Sequence, residues 1–200
     1  WRGTVSFLLD ALSLSVATVA ALIGWLVLRF SASYMHREAG FHRFHMVLCL
    51  FLAGIQLVFL AGNGLLAFVG WEICGVASFL LIGYAWQRPL ATGNALFAFV
   101  TNRAGDAGFL LGLGFAAGWL GSFEWPVLTG THGLAMVTER FLVFGFVVAA
   151  LAKSAQLPFT PWIARALEGP TPSSAIFYGA VMIHAGVYLL LRLSPLLAQV

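Results

Sequence analysis

Residues 11–28 (ALSLSVATVAALIGWLVL) contain no charge at all. A helix needs about 20 predominantly apolar residues to cross the hydrocarbon core of a bilayer. The same property recurs along the chain. Residues 44–87 hold a single charge, Glu72, and are long enough for two spans, with Gly62-Asn63-Gly64 supplying the turn between them. A fourth span is expected over 94–120 and a fifth from Thr138 through Ala152. Residues 121–137 are rich in Gly, Thr and polar groups and read as a loop. The sixth is expected from Ser173 towards Pro195. The chain therefore reads as an all-α integral membrane protein, a polytopic bundle of about six transmembrane helices. Charged residues make up only 8% of it, against roughly a quarter in a soluble domain, so its surface suits lipid.

One of the six spans is expected to be interrupted. Pro158 and Pro161 follow Lys153 by five and eight residues. Proline removes a backbone donor and disfavours helix in the residue before it, so the fifth helix should break there and resume briefly over 160–168. Arg29, Arg37, Arg43, Arg88 and Arg165 fall at one set of alternating ends, and Arg2, Glu124, Glu139 and Arg140 at the other. The excess of arginine places the first set on the cytoplasmic side or its equivalent, with both termini of this segment opposite. A chain beginning at Trp1 and ending in an apolar run at Val200 is expected to be an excerpt of a longer protein.

Four ionisable groups lie where a span should be apolar: Glu72, Arg103, Asp106 and Lys153. Each costs from about 2.5 to more than 10 kcal/mol at mid-membrane, so such groups face the bundle interior, pair, and mark ion or proton routes. Glu72 lies eight residues past Gly64, about 12 Å into its helix, and Gly75 one turn on lets a neighbouring helix approach. Arg103 and Asp106 are three apart and share a face, as a supporting ion pair or a plain helix clamp. Lys153 is the only lysine of the chain. An amine taken out of water gives up its proton more readily, and a carboxylate moved beside it restores its hold, so such a lysine can act as a proton switch. The broken helix beside it offers free carbonyls and room for water.

Other candidates carry less. Cys49 and Cys74 read as small packing residues without metal-ligand spacing. His36, His42 and His45 flank the first basic loop, and His132 lies in the 121–137 loop. His184 stands inside the last span as a relay member or a packing histidine. Motifs for a hydrolase, metalloenzyme or phosphate-binding loop are missing, so no catalytic or metal residue is assigned. No ligands for haem, flavin or iron–sulfur clusters are arranged here, and no cofactor is expected in this chain. The net charge of +3 includes no basic stripe, which argues against nucleic acid.

Three runs in order, GWEICGVASFLLIGY, FVTNRAGDAGFLLG and AKSAQLPFTPWIARALEGPTPSSAIF, resemble the antiporter-like subunits of respiratory complex I. The likeness is greatest to the NADH dehydrogenase subunit 5 type, which is related to the large Mrp antiporter subunit. FLLDALSLSV and SASYMHREAGFHRF extend the resemblance over nearly the whole chain. It implies an antiporter-like fold of inverted five-helix repeats. Residues 1–43 would hold the preceding helix and its cytoplasmic loop, and residues 44–200 the first repeat. It further implies a Glu72–Lys153 charge pair opened and closed by proton movement through half-channels, with Arg103 and Asp106 beside it. The chain would then be a proton-translocating subunit of a complex I-like NADH:quinone oxidoreductase, doing no redox chemistry itself. Related systems are a sodium/proton antiporter, a membrane hydrogenase or an inorganic-carbon uptake complex, and a non-conducting structural subunit is the contrasting reading. The partners implied are other membrane subunits, the lipid bilayer, and protons or Na+, in a bacterial cytoplasmic membrane or an equivalent energy-transducing one. Family members carry a relay histidine in SALIHAATM where this chain has Tyr178. His184 follows six residues later, about 120° around the helix and about 9 Å along it.

Overall fold

The computed structural model describes residues 5–130 and 136–199. Its long helices are α1 (Ala11–Tyr34), α2 (Phe41–Leu60), α3 (Gly64–Ile82), α4 (Pro89–Phe115) and α6 (Met136–Lys153), with α5 (Trp125–Leu128) a single turn in the 121–130 loop. Beyond α6 the chain is segmented into α7 (Pro161–Arg165), α8 (Thr171–Ser174), α9 (Met182–Arg192) and α10 (Ser194–Leu197). Among the described residues, four segments are long and apolar enough to cross a membrane: Ala11–Tyr34, Phe41–Leu60, Gly64–Ile82 and Thr171–Arg192. The family resemblance's repeat boundary at residues 43 and 44 falls within the first turn of α2.

Local chemistry sets the boundaries. Asp10 caps α1 by accepting from Ser13 N at 2.8 Å, while Ser13 Oγ accepts from Asp10 N at 3.0 Å, a reciprocal capping box. Asn63, in the predicted turn, accepts from Leu66 N at 2.8 Å and starts α3. Pro89 opens α4 from its first turn, where a missing N–H costs nothing. The end of α6 differs from expectation. The helix stops at Lys153 itself, ahead of both prolines, because Ala155 adopts a left-handed conformation with φ +54°. Ala155 N then donates to Ala152 O at 3.1 Å and Gln156 N to Leu151 O at 2.9 Å, the paired bonds of a Schellman cap. Pro158 lies in the connection that follows, and Pro161 begins α7.

The last span also departs from the single helix expected. After α8 the chain widens into π-type turns over Ala175–Ala180, and Val181 N reaches back five residues to Ile176 O at 3.3 Å. Val181 leaves helical geometry (φ −126°, ψ −57°) before α9 begins. The extra residue per turn seats Phe177 in the core, edge-on to Phe51 at 5.9 Å, while Tyr178 turns its hydroxyl to the carbonyl of Ile163 in α7.

Small residues bring the helices together. A Cβ built on Gly108 of α4 would stand 2.7 Å from Gly145 O of α6, and one on Gly145 would stand 2.6 Å from Gly108 O. Only glycine permits that crossing, the close backbone approach typical of helices packed in lipid. The outer surface is correspondingly apolar, with Leu22, Trp25, Phe30 and Phe144 more than half exposed. Loops sort to two ends. Arg88 pairs with Glu168 at 2.9 Å at one, and Tyr34 Oη meets Thr171 Oγ1 there. At the other, Ser6 bonds Glu124, and Arg192 forms a two-pronged ion pair with Asp10. This last pair ties the two described ends of the chain together and was not foreseen from the sequence.

Candidate functional site

The four mid-span ionisable groups converge. α3 contributes Glu72, α4 contributes Arg103 and Asp106, and α6 contributes Lys153 at its last residue. Arg103 is the hub. Its Nη1 donates to Glu72 Oε2, its Nη2 lies 2.7 Å from Asp106 Oδ2 without hydrogen-bond alignment, and its guanidinium lies 4.7 Å from the Phe99 ring centre. The expected i,i+3 pair is therefore present, with Glu72 added across the α3–α4 seam. Two carboxylates and two cations balance formally, which lowers the cost of burying them.

Lys153 is 1% exposed. Its Nζ donates to Trp71 O at 3.4 Å and lies 4.8 Å from the centre of the Trp71 ring. No carboxylate is within ion-pair distance of it among the described residues. Glu72, the partner implied by the resemblance, is engaged by Arg103 in this arrangement. Gly75 decides how close the two cations come to α3. A Cβ there would stand 2.8 Å from Arg103 Nη2 and 3.7 Å from Lys153 Nζ.

Trp71 is the residue that sequence reasoning missed. Its indole Nε1 donates to Asp106 Oδ1 at 2.6 Å while its carbonyl and ring hold Lys153. A continuous chain thus runs from Glu72 through Arg103, Asp106 and Trp71 to Lys153. Its place beside Glu72 was the available signal, but a tryptophan in an apolar helix reads as packing. Trp162 supports the break from beneath, donating Nε1 to Ala152 O at 2.8 Å. Asn102 Oδ1, Arg103 Nε, Arg103 Nη2 and Asp106 Oδ2 are buried without aligned hydrogen-bond partners. Unmet polar valences grouped in this way are suited to water.

Tyr178 and His184 are not hydrogen-bonded to this cluster. Tyr178 serves the carbonyl of Ile163, and His184 is exposed on a groove between α1 and α9 lined also by Ser15 and Tyr188. His45 bonds Ser31 Oγ and lies within reach of the Phe41 carbonyl, tying α1 to α2, while His36 and His42 are exposed. Cys74 is buried and Cys49 exposed. His132 and Arg2 lie outside the described residues. Among the described residues no group of three or more His, Cys, Asp or Glu is placed to hold a metal ion.

A helical membrane bundle with an ionisable cluster beside a broken helix places the chain among membrane proteins that carry polar groups inside the bundle, where ion and proton routes are found. The chain belongs to the NADH:quinone oxidoreductase/Mrp antiporter transmembrane family, whose model matches residues 61–200. The family model for the N-terminus of complex I chain 5 matches residues 2–45. The chain is 38% identical to NADH-ubiquinone oxidoreductase chain 5 of Rattus norvegicus over 96% of this chain and 31% of that one. It is also 38% identical to NADH-quinone oxidoreductase subunit L of Mycobacterium tuberculosis (strain CDC 1551 / Oshkosh), over 94% of this chain and 30% of that one. The fold matches a chain in the structure of the Mrp complex from Dietzia sp. DQ12-45-1b with a TM-score of 0.86 and 28% identity, covering 97% of this chain and 22% of that one. The chain spans about a third of the length of the curated relatives it matches.

Proposed function

We propose that this chain forms a proton-conducting unit of a multi-subunit membrane complex, with Lys153 as the group that takes up and releases the proton. The observation that carries this reading is a fully buried lysine at the end of a broken helix, held by a backbone carbonyl and a π face rather than by a carboxylate. The five long helices and the segment Thr171–Arg192 then all cross the membrane. α3 brings Glu72, α4 brings Arg103 and Asp106, and α6 carries Glu139, Arg140 and Lys153 in 18 residues.

Glu72 works as the movable partner. Paired with Arg103, it leaves Lys153 without an adjacent counter-charge, and the amine releases its proton. Shifted past Gly75 towards Lys153, it stabilises the ammonium, while Arg103 retains Asp106. An arginine does not lose its own proton in proteins, so it can trade carboxylates without short-circuiting the route. Water satisfying the orphaned polar atoms of α4 supplies the link to one side, and Tyr178, beyond the break that follows Lys153, the link to the other. His184, on the opposite groove, serves as an alternative exit.

The likeness to complex I chain 5 supports coupling to NADH:quinone oxidoreduction carried out by other subunits, in a bacterial cytoplasmic membrane or an equivalent one. The fold match to an Mrp complex favours a second reading, sodium/proton exchange through the same cluster. The test uses full-length protein with its partner subunits in sealed vesicles. Lys153→Met and Glu72→Gln should each abolish proton uptake with assembly intact, and wild-type uptake in both would overturn the reading. A Na+ dependence of uptake would select the second form.

A further inference from the structure

Away from the ionisable cluster, the turns joining α1 to α2 and α3 to α4 lie side by side. Gly40 lets them meet, since a Cβ there would stand 2.7 Å from the Tyr84 hydroxyl oxygen. Arg43, in the first turn of α2, donates Nη2 to Tyr84 O at 2.7 Å, and its guanidinium lies 5.2 Å from the centre of the Tyr84 ring. These two contacts orient the guanidinium. Arg43 nevertheless has no salt-bridge partner among the described residues. It shares a polar hollow of ≈ 390 Å³ with Glu38, Tyr84 and Trp86. Arg43, Tyr84 and Trp86 also line an apolar furrow of ≈ 350 Å³ that runs on between α2 and α3, walled by Met46 and Leu80.

We propose that this double hollow binds a phospholipid whose head group carries both a phosphate and a primary ammonium, a phosphatidylethanolamine. The phosphate sits on Arg43, the ammonium towards Glu38, and one acyl chain lies in the furrow. The arginine fork matches phosphate oxygens. Glu38 supplies the opposite charge within the same hollow, which an anionic head group without an ammonium, such as phosphatidylglycerol, would meet with repulsion and a choline could not answer with an N–H donor. Trp86 is 59% exposed, and with Tyr84 it belongs at head-group level, where such amphipathic rings collect. The hollow also opens at the arginine-rich end of the bundle, the end of Arg29, Arg37 and Arg88. A free phosphate compound would account for the hollow but not for the apolar furrow leading out of it. None of these residues belongs to the proton path, so the site stands or falls separately.

The full-length protein with its partner subunits, stripped of lipid in detergent, is titrated with phosphatidylethanolamine, phosphatidylcholine and phosphatidylglycerol and read by native mass spectrometry. The wild type should prefer phosphatidylethanolamine. Arg43→Gln should weaken its retention about tenfold, the worth of one charge-assisted hydrogen bond. Glu38→Gln should erase the preference over phosphatidylcholine without lowering phosphatidylcholine binding. Leu80→Trp, which fills the furrow without changing charge, should weaken all three lipids and guards against misfolding as the cause. Unchanged phosphatidylethanolamine retention in Arg43→Gln, or a wild-type preference for phosphatidylglycerol, would overturn the assignment.

Discussion

The indole of Trp71 donates to Asp106 at 2.6 Å, and this bond joins the carboxylate of α4 to the residue whose carbonyl and ring hold Lys153. Trp71 is 1% exposed and makes an edge-on contact with Phe109, so its position is set by packing on α4 as well as by the bond. A change of charge at Asp106 is therefore felt at Lys153 through one rigid side chain.

Trp71→Phe keeps the backbone carbonyl and an aromatic face but removes the indole donor. Leaving a buried carboxylate oxygen short of a donor should cost about 1–3 kcal/mol of stability. Combined with Asp106→Asn in a double-mutant cycle, read by thermal unfolding in detergent, the two changes should be clearly non-additive. Additive losses would mean that the bond does not couple the two residues.

Gly75 is the point where a methyl group meets both cations of the cluster. Gly75→Ala places a carbon 2.8 Å from Arg103 Nη2, so the guanidinium that also holds Glu72 through Nη1 must shift. Proton uptake should fall by about tenfold or more, since a displacement of about 1 Å costs that much in sites that depend on alignment. Gly93→Ala, in α4 where an added Cβ meets nothing within 4 Å, should leave uptake near wild type in the same vesicle assay.

The Asp10–Arg192 pair closes the end of the bundle opposite Arg88. Hydrogen bonding from Arg192 holds the Asp10 carboxyl well below the usual carboxylate range, against a smaller upward effect of burial, with Ser13 helping to lower it. A depressed carboxyl stabilises the fold at all pH above its unfolded value, near 4, and loses that contribution as pH falls towards the folded value. Asp10→Asn should lower thermal stability at pH 7 and flatten the acid limb of the stability curve below about pH 4. An unchanged acid limb would show that the pair contributes nothing to stability.

Ala155 holds a left-handed conformation at φ +54°, directly after Lys153 and Ser154. For an L-residue that conformation costs roughly 1–2 kcal/mol, which glycine avoids. Ala155→Gly should be neutral or stabilising by up to about 1 kcal/mol. Ala155→Val should be destabilising, because a β-branched residue is poorly tolerated there. Thermal unfolding of the two variants side by side decides it. Equal stability would mean that the cap contributes little to ending α6.

Much of this protein was legible without coordinates, for a physical reason. Lipid demands uninterrupted apolar length and closed backbone hydrogen bonding, so the span at 11–28 and the two within 44–87 announce themselves by composition, and helices lie there at 11–34, 41–60 and 64–82. The same demand makes Glu72, Arg103, Asp106 and Lys153 conspicuous, and the motifs around them pointed to the family to which the chain belongs. Partnership was not legible in that way. That Glu72 faces Arg103, that Trp71 stands between Lys153 and Asp106, and that Arg192 reaches Asp10 across the chain all depend on how helices rotate and cross. Those rotations are set by close contacts such as Gly108 on Gly145 and by the wide turns at 175–180. Periodicity says which residues cannot face lipid. The tertiary packing decides which of them meet, because a buried charge takes whichever partner the neighbouring helix presents.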